Sequence, residues 1–143
     1  MLLTTSSRVI ATMALTRVAP LALPAATRVR PLCMLLPPHL EDMKEELTSG
    51  EAQLFDVREP GEAEAVMLRD ATLVPLSALQ DGRLSASQME SAGIDKTKLT
   101  YVHCAAGIRV HYAAPILEAI GFERVVPLQE GYASLVKFGF EEK

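Results

Sequence analysis

A cysteine, a run of small residues and an arginine stand together at Cys104-Ala105-Ala106-Gly107-Ile108-Arg109. Ahead of them Leu99–His103 reads as a short strand, and behind them Val110–Ile120 reads as a helix. A thiol between a strand end and a helix N-terminus lies where unpaired backbone N–H groups converge and the helix dipole is positive. Such a place favours the thiolate, the nucleophilic form of cysteine. The chemistry that follows is covalent catalysis by Cys104, in a loop built to bind negative charge. Ala105, Ala106, Gly107, Ile108 and Arg109 supply the main-chain donors, and no metal is needed. Arg109 opens the helix, where the dipole disfavours a cation, so it calls for a local anion or carboxylate partner.

Other polar residues are weighed against that site. Asp56 and Arg58, at the end of an earlier strand, are expected to hold the neighbouring loop through ion pairs or hydrogen bonds rather than to react. His103 and His111 flank the cysteine loop, but strand alternation sends the His103 side chain away from that of Cys104. His111 is read as facing solvent, and neither histidine is taken as a catalytic base. Glu130, in the last loop, is a candidate for the pocket mouth.

The elements that position these residues can be read in order. His39–Ser49 is an expected helix, with Leu40, Met43 and Leu47 at helical spacing and Gly50 as its stop. Ala52–Val57 is a short apolar strand closed by Pro60-Gly61. Glu62–Met67 reads as one or two helical turns, and Thr72–Val74 as a strand stopped by Pro75. Ser77-Ala78-Leu79-Gln80 has capping-box spacing, and Ser87–Ala92 a helix start at Ser87 with Glu90 three residues on. After the cysteine loop, Val110–Ile120 carries Pro115 well inside it, where a kink is expected. Gly121 ends that helix, Val125–Leu128 forms a strand and Gly131–Phe138 a last helix. Short strands alternating with helices indicate an α/β fold with a mostly parallel central sheet and helices on both faces. In such sheets ligands bind beyond the carboxyl ends of the strands, where Cys104, Asp56 and Arg58 fall.

The chain has 143 residues, room for one domain and a tail. A net charge of −4 argues against nucleic acid as the main partner. Arg and Pro interrupt the apolar N-terminal stretch, so stable membrane insertion is not expected. With two cysteines and no zinc-type spacing, neither a disulfide scaffold, a metal nor another cofactor is implied. From Met1 to Leu40 there is no Asp or Glu, while Arg8, Arg17, Arg28 and Arg30 stand among Ser, Thr and Ala. That composition is how an organelle transit peptide reads. Residues 1–36 are therefore expected to be a disordered transit peptide, for mitochondrial matrix or plastid stroma, and residues 37–143 the working domain. Cleavage between Arg30 and Pro38 would remove Cys33 and leave Cys104 as the only thiol.

Several motifs then fall in a telling order: Asp56-Val57-Arg58-Glu59-Pro60, Val74-Pro75-Leu76-Ser77, and Cys104-x-x-Gly107-x-Arg109. After them come Ala113-Ala114, Leu117, Gly121-Phe122, Val125, Leu128 and Gly131. In this the chain resembles a single-domain rhodanese, a sulfurtransferase module, from Pro37 to Lys143. The resemblance implies a cysteine that takes a sulfane sulfur from a small-molecule or protein donor, holds it as a persulfide, and passes it to a thiol or other thiophilic acceptor. Related phosphatases carry one more residue between Cys and Arg. The four residues here make a narrower cradle, suited to one sulfur atom, so phosphatase or arsenate reductase is the lesser alternative.

The sequence departs from the family at several points. Ala105 and Ala106 stand where Arg or another polar group is common, which weakens capture of a dianion such as thiosulfate. Val66–Ala71 replaces a usual Gly-His-Ile-x-Gly-Ala, Glu130-Gly131 replaces a Gly-Gly pair, and Leu135 lies near a usual Trp. A second class of function is therefore kept open: a rhodanese-like binding or sensing module that retains its cysteine without turnover.

Overall fold

A computed structural model describes residues 36–143. The segment read as a transit peptide, with Cys33, lies outside the described residues. In chain order the elements are α1 (Pro38–Ser49), β1 (Ala52–Asp56), α2 (Pro60–Ala63), β2 (Ala71–Leu73), α3 (Leu76–Gln80), α4 (Ala86–Ser91), β3 (Leu99–His103), α5 (Val110–Ala119), β4 (Arg124–Pro127) and α6 (Tyr132–Lys137). The strands form one sheet in the order β2-β1-β3-β4, and every pairing is parallel.

The two central strands explain the layering. In their register Leu54 lies opposite Tyr101 and Phe55 opposite Val102. Successive side chains leave a strand on opposite faces. Ala52, Leu54 and Tyr101 therefore pack with Leu40 and Met43 of α1 and Leu135 of α6. Phe55 and Val102 go the other way, to Leu76 and Leu79 of α3, Met89 of α4, and Val110, Ala113 and Leu117 of α5. Helices cover both faces of a parallel sheet, which is the α/β architecture that the alternation of elements implies. No helix among the described residues is long and apolar enough to cross a membrane.

Three short helices start elsewhere than the sequence suggests. The first, α2, begins at Pro60 rather than Glu62, because a proline at the first helical position lacks only an N–H that would be unpaired anyway. The Glu62 side chain reaches back to accept from the Glu59 N–H at 3.2 Å. Helix α3 begins at Leu76, and the Ser77 hydroxyl does not cap it. It donates instead to Glu59 Oε2 at 2.7 Å, a partner 18 residues away that pins α3 to the loop before α2. In α4 the cap is Ser85, two residues before the expected Ser87, with Gln88 rather than Glu90 completing the box. Glu90 is engaged by Lys96 at 2.6 Å. Helix α5 continues through Pro115, which is exposed. The chain end is strapped back onto the domain by Arg69 N–H to the Glu141 carbonyl and Lys143 N–H to the Met67 carbonyl, at 2.7 and 2.9 Å.

Phe55 is 1% exposed and meets the ring of Phe122 edge-on, centroids 5.5 Å apart. Truncation to Phe55→Ala should cost about 3–5 kcal/mol, because the surrounding layer can collapse only partly around the void. Denaturant unfolding measures it; a loss below about 1 kcal/mol would mean the layer is looser than described.

Candidate active site

The first residue beyond β3 is Cys104, 1% exposed and packed in the layer that holds Val102 and Val110. The chain turns at once, and the Gly107 N–H donates to Cys104 Sγ at 3.1 Å. Gly107 sits at φ 74°, in the left-handed region that only glycine occupies without strain. Ala105, Ala106 and Ile108 are exposed on the rim of this turn. No acceptor among the described residues takes the N–H of Ala105, Ala106, Ile108 or Arg109.

A second loop, residues 129–131, locks the first in place. A Cβ on Gly107 would lie 2.2 Å from the Gln129 carbonyl oxygen, and one on Gly131 would lie 2.1 Å from that of Ala105. Neither position has room for a methyl group. The Tyr132 N–H also donates to the Cys104 carbonyl at 2.9 Å. The turn that carries the thiol is thus held backbone against backbone. Glu130 does not project alone from this loop; it bonds to His39 Nε2 at 2.9 Å and ties the start of α1 beside it.

Arg109 precedes α5 and lies in a forked pair with Glu62, Nη1 to Oε2 at 2.5 Å and Nη2 to Oε1 at 3.0 Å. The carboxylate that offsets its unfavourable place at the helix start is therefore supplied by α2. The Arg109 hydrogen bond holds the Glu62 carboxyl below the usual carboxylate range, and Glu62 in turn raises Arg109.

Asp56 and Arg58 form a buried pair, 0% and 5% exposed. Arg58 Nε reaches both carboxylate oxygens at 3.0 and 2.9 Å, and Nη2 reaches Oδ2 at 2.7 Å. The same Nη2 donates to the Val66 carbonyl at 2.8 Å, fixing the segment between α2 and β2. The guanidinium lies 4.2 Å from the centroid of the Tyr132 ring, a cation–π contact on the residue that follows Gly131. The pair thus braces the segments around the cysteine loop through Arg58, which meets Tyr132 and the Val66 carbonyl.

His103 is 0% exposed, and neither ring nitrogen has a hydrogen-bond partner among the described residues. Its ring stacks on Tyr132 at 6.4 Å, and Nε2 stands 3.7 Å from Asp56 Oδ2. Burial pushes its pKa down, with Asp56 opposing in part. Its stacking partner Tyr132 packs against the layer of Leu54 and Tyr101, whereas Cys104 packs in the layer of Val102 and Val110. His111 is exposed on α5.

The structure thus gathers Ala105–Arg109 around Cys104, and sets Asp56 and Arg58 behind. Residues that sequence reasoning passed over are Glu62 and Tyr132. Glu62 stands 47 residues from Arg109, so spacing gave no sign of their pairing. Tyr132 carried no signal, because its role depends on the packing of α6. Among the described residues no group of three His, Cys, Asp or Glu side chains could hold a metal ion.

Comparison with known proteins adds to this geometry. The rhodanese-like domain family matches residues 39–137. The human single-domain sulfurtransferase TSTD1 is 26% identical, with a TM-score of 0.56 over 68% of this chain and 92% of its own. An uncharacterized protein of Saccharomyces cerevisiae is also 26% identical, with a TM-score of 0.56 over 69% of this chain and 88% of its own. The Alr3790 protein of Anabaena is 25% identical, with a TM-score of 0.58 over 72% of this chain and 77% of its own. No curated protein matches the chain.

Two measurements probe the frame of the site. Gly131→Ala should lower stability by about 1–3 kcal/mol in denaturant unfolding, since its methyl collides with main chain that has no rotamer to yield. An unaltered midpoint would mean the two loops do not interlock. For His103 the sign follows from its depressed folded-state value. The unfolded chain takes the proton first as pH falls, so the stability His103 lends is complete above about pH 6.5 and drains away below it. His103→Phe should remove that part of the slope below about pH 6.5, and an identical slope in both proteins would contradict the placement.

Proposed function

The chain belongs to the rhodanese-like domain family, and from that premise we propose that it is a sulfurtransferase that carries a sulfane sulfur as a persulfide on Cys104. The observation that carries this reading is the Gly107 N–H aimed at Cys104 Sγ from 3.1 Å, within a turn whose other N–H groups find no acceptor among the described residues. Main-chain donors so fixed need no reorganisation when charge arrives on the outer sulfur.

The reaction divides into two displacements. The Cys104 thiolate attacks the sulfane sulfur of a donor; a new S–S bond forms, and the donor's old sulfur bond breaks with its electron pair leaving on the donor remnant. Cys104 then bears a persulfide anion. A nucleophilic acceptor, a thiol or another thiophile, attacks the outer sulfur, and the Cys104 thiolate departs as leaving group. Asp56, Arg58 and Tyr132 act here by fixing the loops, and Arg109, paired with Glu62, ties the start of α5 to α2. The likeness to a human single-domain sulfurtransferase supports the reaction class. The acid-free, Arg-bearing N-terminal segment supports a site of action in an organelle, mitochondrial matrix or plastid stroma.

One observation favours a second reading, a binding or sensing module without turnover. Cys104 is 1% exposed, and the two residues that follow it, Ala105 and Ala106, bring no side-chain donor. A partner captured equally by wild type and Cys104→Ala would support that reading.

Incubation with a panel of sulfane-sulfur donors should leave Cys104 heavier by one sulfur atom, released by cyanide as thiocyanate. Cys104→Ser should acquire none. If no donor charges the wild type, the enzyme reading fails.

A further inference from the structure

Resting on the sulfurtransferase reading, we propose that Glu62 sets the charge selectivity of the site: by engaging Arg109 it makes the mouth favour donors that carry one negative charge over the thiosulfate dianion. Arg109 is the only cation in the loop from Ala105 to Arg109. Both of its terminal nitrogens are committed to the two Glu62 oxygens, at 2.5 and 3.0 Å. Glu62 is itself held, since its Oε2 also accepts the Glu59 N–H at 3.2 Å, so the carboxylate does not swing clear at no cost. The next guanidinium, on Arg58, is 5% exposed and consumed by Asp56.

What remains at the rim is uncharged. Ala105 and Ala106 are exposed, Ile108 is 65% exposed, and Tyr112, one helical turn along, is 60% exposed. A sulfane sulfur with a single negative charge needs only the amide ring. Among the described residues the second charge of a dianion finds no free cation beside the loop, and it meets the carboxylates of Glu62 and Glu59, the latter held by the Ser77 N–H and hydroxyl. Glu62 is thus a positioning residue that acts through Arg109.

Methanethiosulfonate and thiosulfate present the same sulfane sulfur and differ by one charge. With either, the Cys104 thiolate forms a bond to the sulfane sulfur and the bond to the sulfonyl sulfur breaks. The electron pair leaves as methanesulfinate in the first case and sulfite in the second, so total charge is conserved in both. The experiment compares kcat/KM for the two donors in the full chain, reading cyanide-labile sulfur. Wild type should favour methanethiosulfonate. Glu62→Gln should raise thiosulfate relative to methanethiosulfonate by roughly fivefold, the worth of one freed charge at short range in water. Glu62→Ala should move the ratio the same way, and in an Arg109→Gln background the shift should vanish. The same ratio in wild type and both Glu62 variants, or a shift that persists without Arg109, overturns the inference while leaving Cys104 a sulfur carrier. If neither donor charges Cys104 in any of these chains, the sulfurtransferase reading falls and the inference with it.

Discussion

Two stretches of main chain approach so closely at Gly107 and Gly131 that neither can carry a Cβ. The rest of the site depends on that contact. It holds the turn after β3 in a shape where the Gly107 amide faces the Cys104 sulfur, and it presses the loop before α6 against the Ala105 carbonyl. A side chain at either glycine would push the loops apart, and the amide would lose its line to the sulfur. Cys104 would then be a buried thiol in an apolar layer, which is the ordinary fate of a free cysteine.

The polar groups behind this contact form one connected support. Asp56 fixes Arg58, Arg58 holds the Val66 carbonyl and lies on Tyr132, and Tyr132 donates its N–H to the Cys104 carbonyl. Because the Asp56–Arg58 pair is almost free of solvent, removing one partner would strand the other's charge in the interior. Glu62 and Arg109 do the same for the mouth at partial exposure, where water screens the pair and its stabilising worth is small. Its consequence lies in which charges a visiting anion meets. His103, buried beside this support, has its pKa pushed down by burial.

Much of this was legible in the chain. The strand–cysteine–glycine–helix order placed the site, because strand ends in a parallel sheet and helix N-termini impose their chemistry locally. The alternation of short strands with helices gave the two layers, because parallel strands need crossovers that lay helices on the faces of the sheet. The short helices were harder. Ser77 and Ser87 both read as helix starts, but the distant Glu59 takes the Ser77 hydroxyl and Ser85 caps α4. The interlock of Gly107 with Gln129 and of Gly131 with Ala105 joins loops more than twenty residues apart, so spacing alone carries no sign of it. The same holds for Glu62 and Arg109, whose pairing depends on where α2 begins.

The central claim is that the Gly107 amide holds charge on the Cys104 sulfur, and amide proton resonances in labelled protein test it most directly. On charging with sulfane sulfur, the Gly107 amide proton should move downfield further than any other amide outside the turn, and stay in place in Cys104→Ser. Addition of one sulfur to Cys104, seen by mass, with the Gly107 proton unmoved would contradict the account.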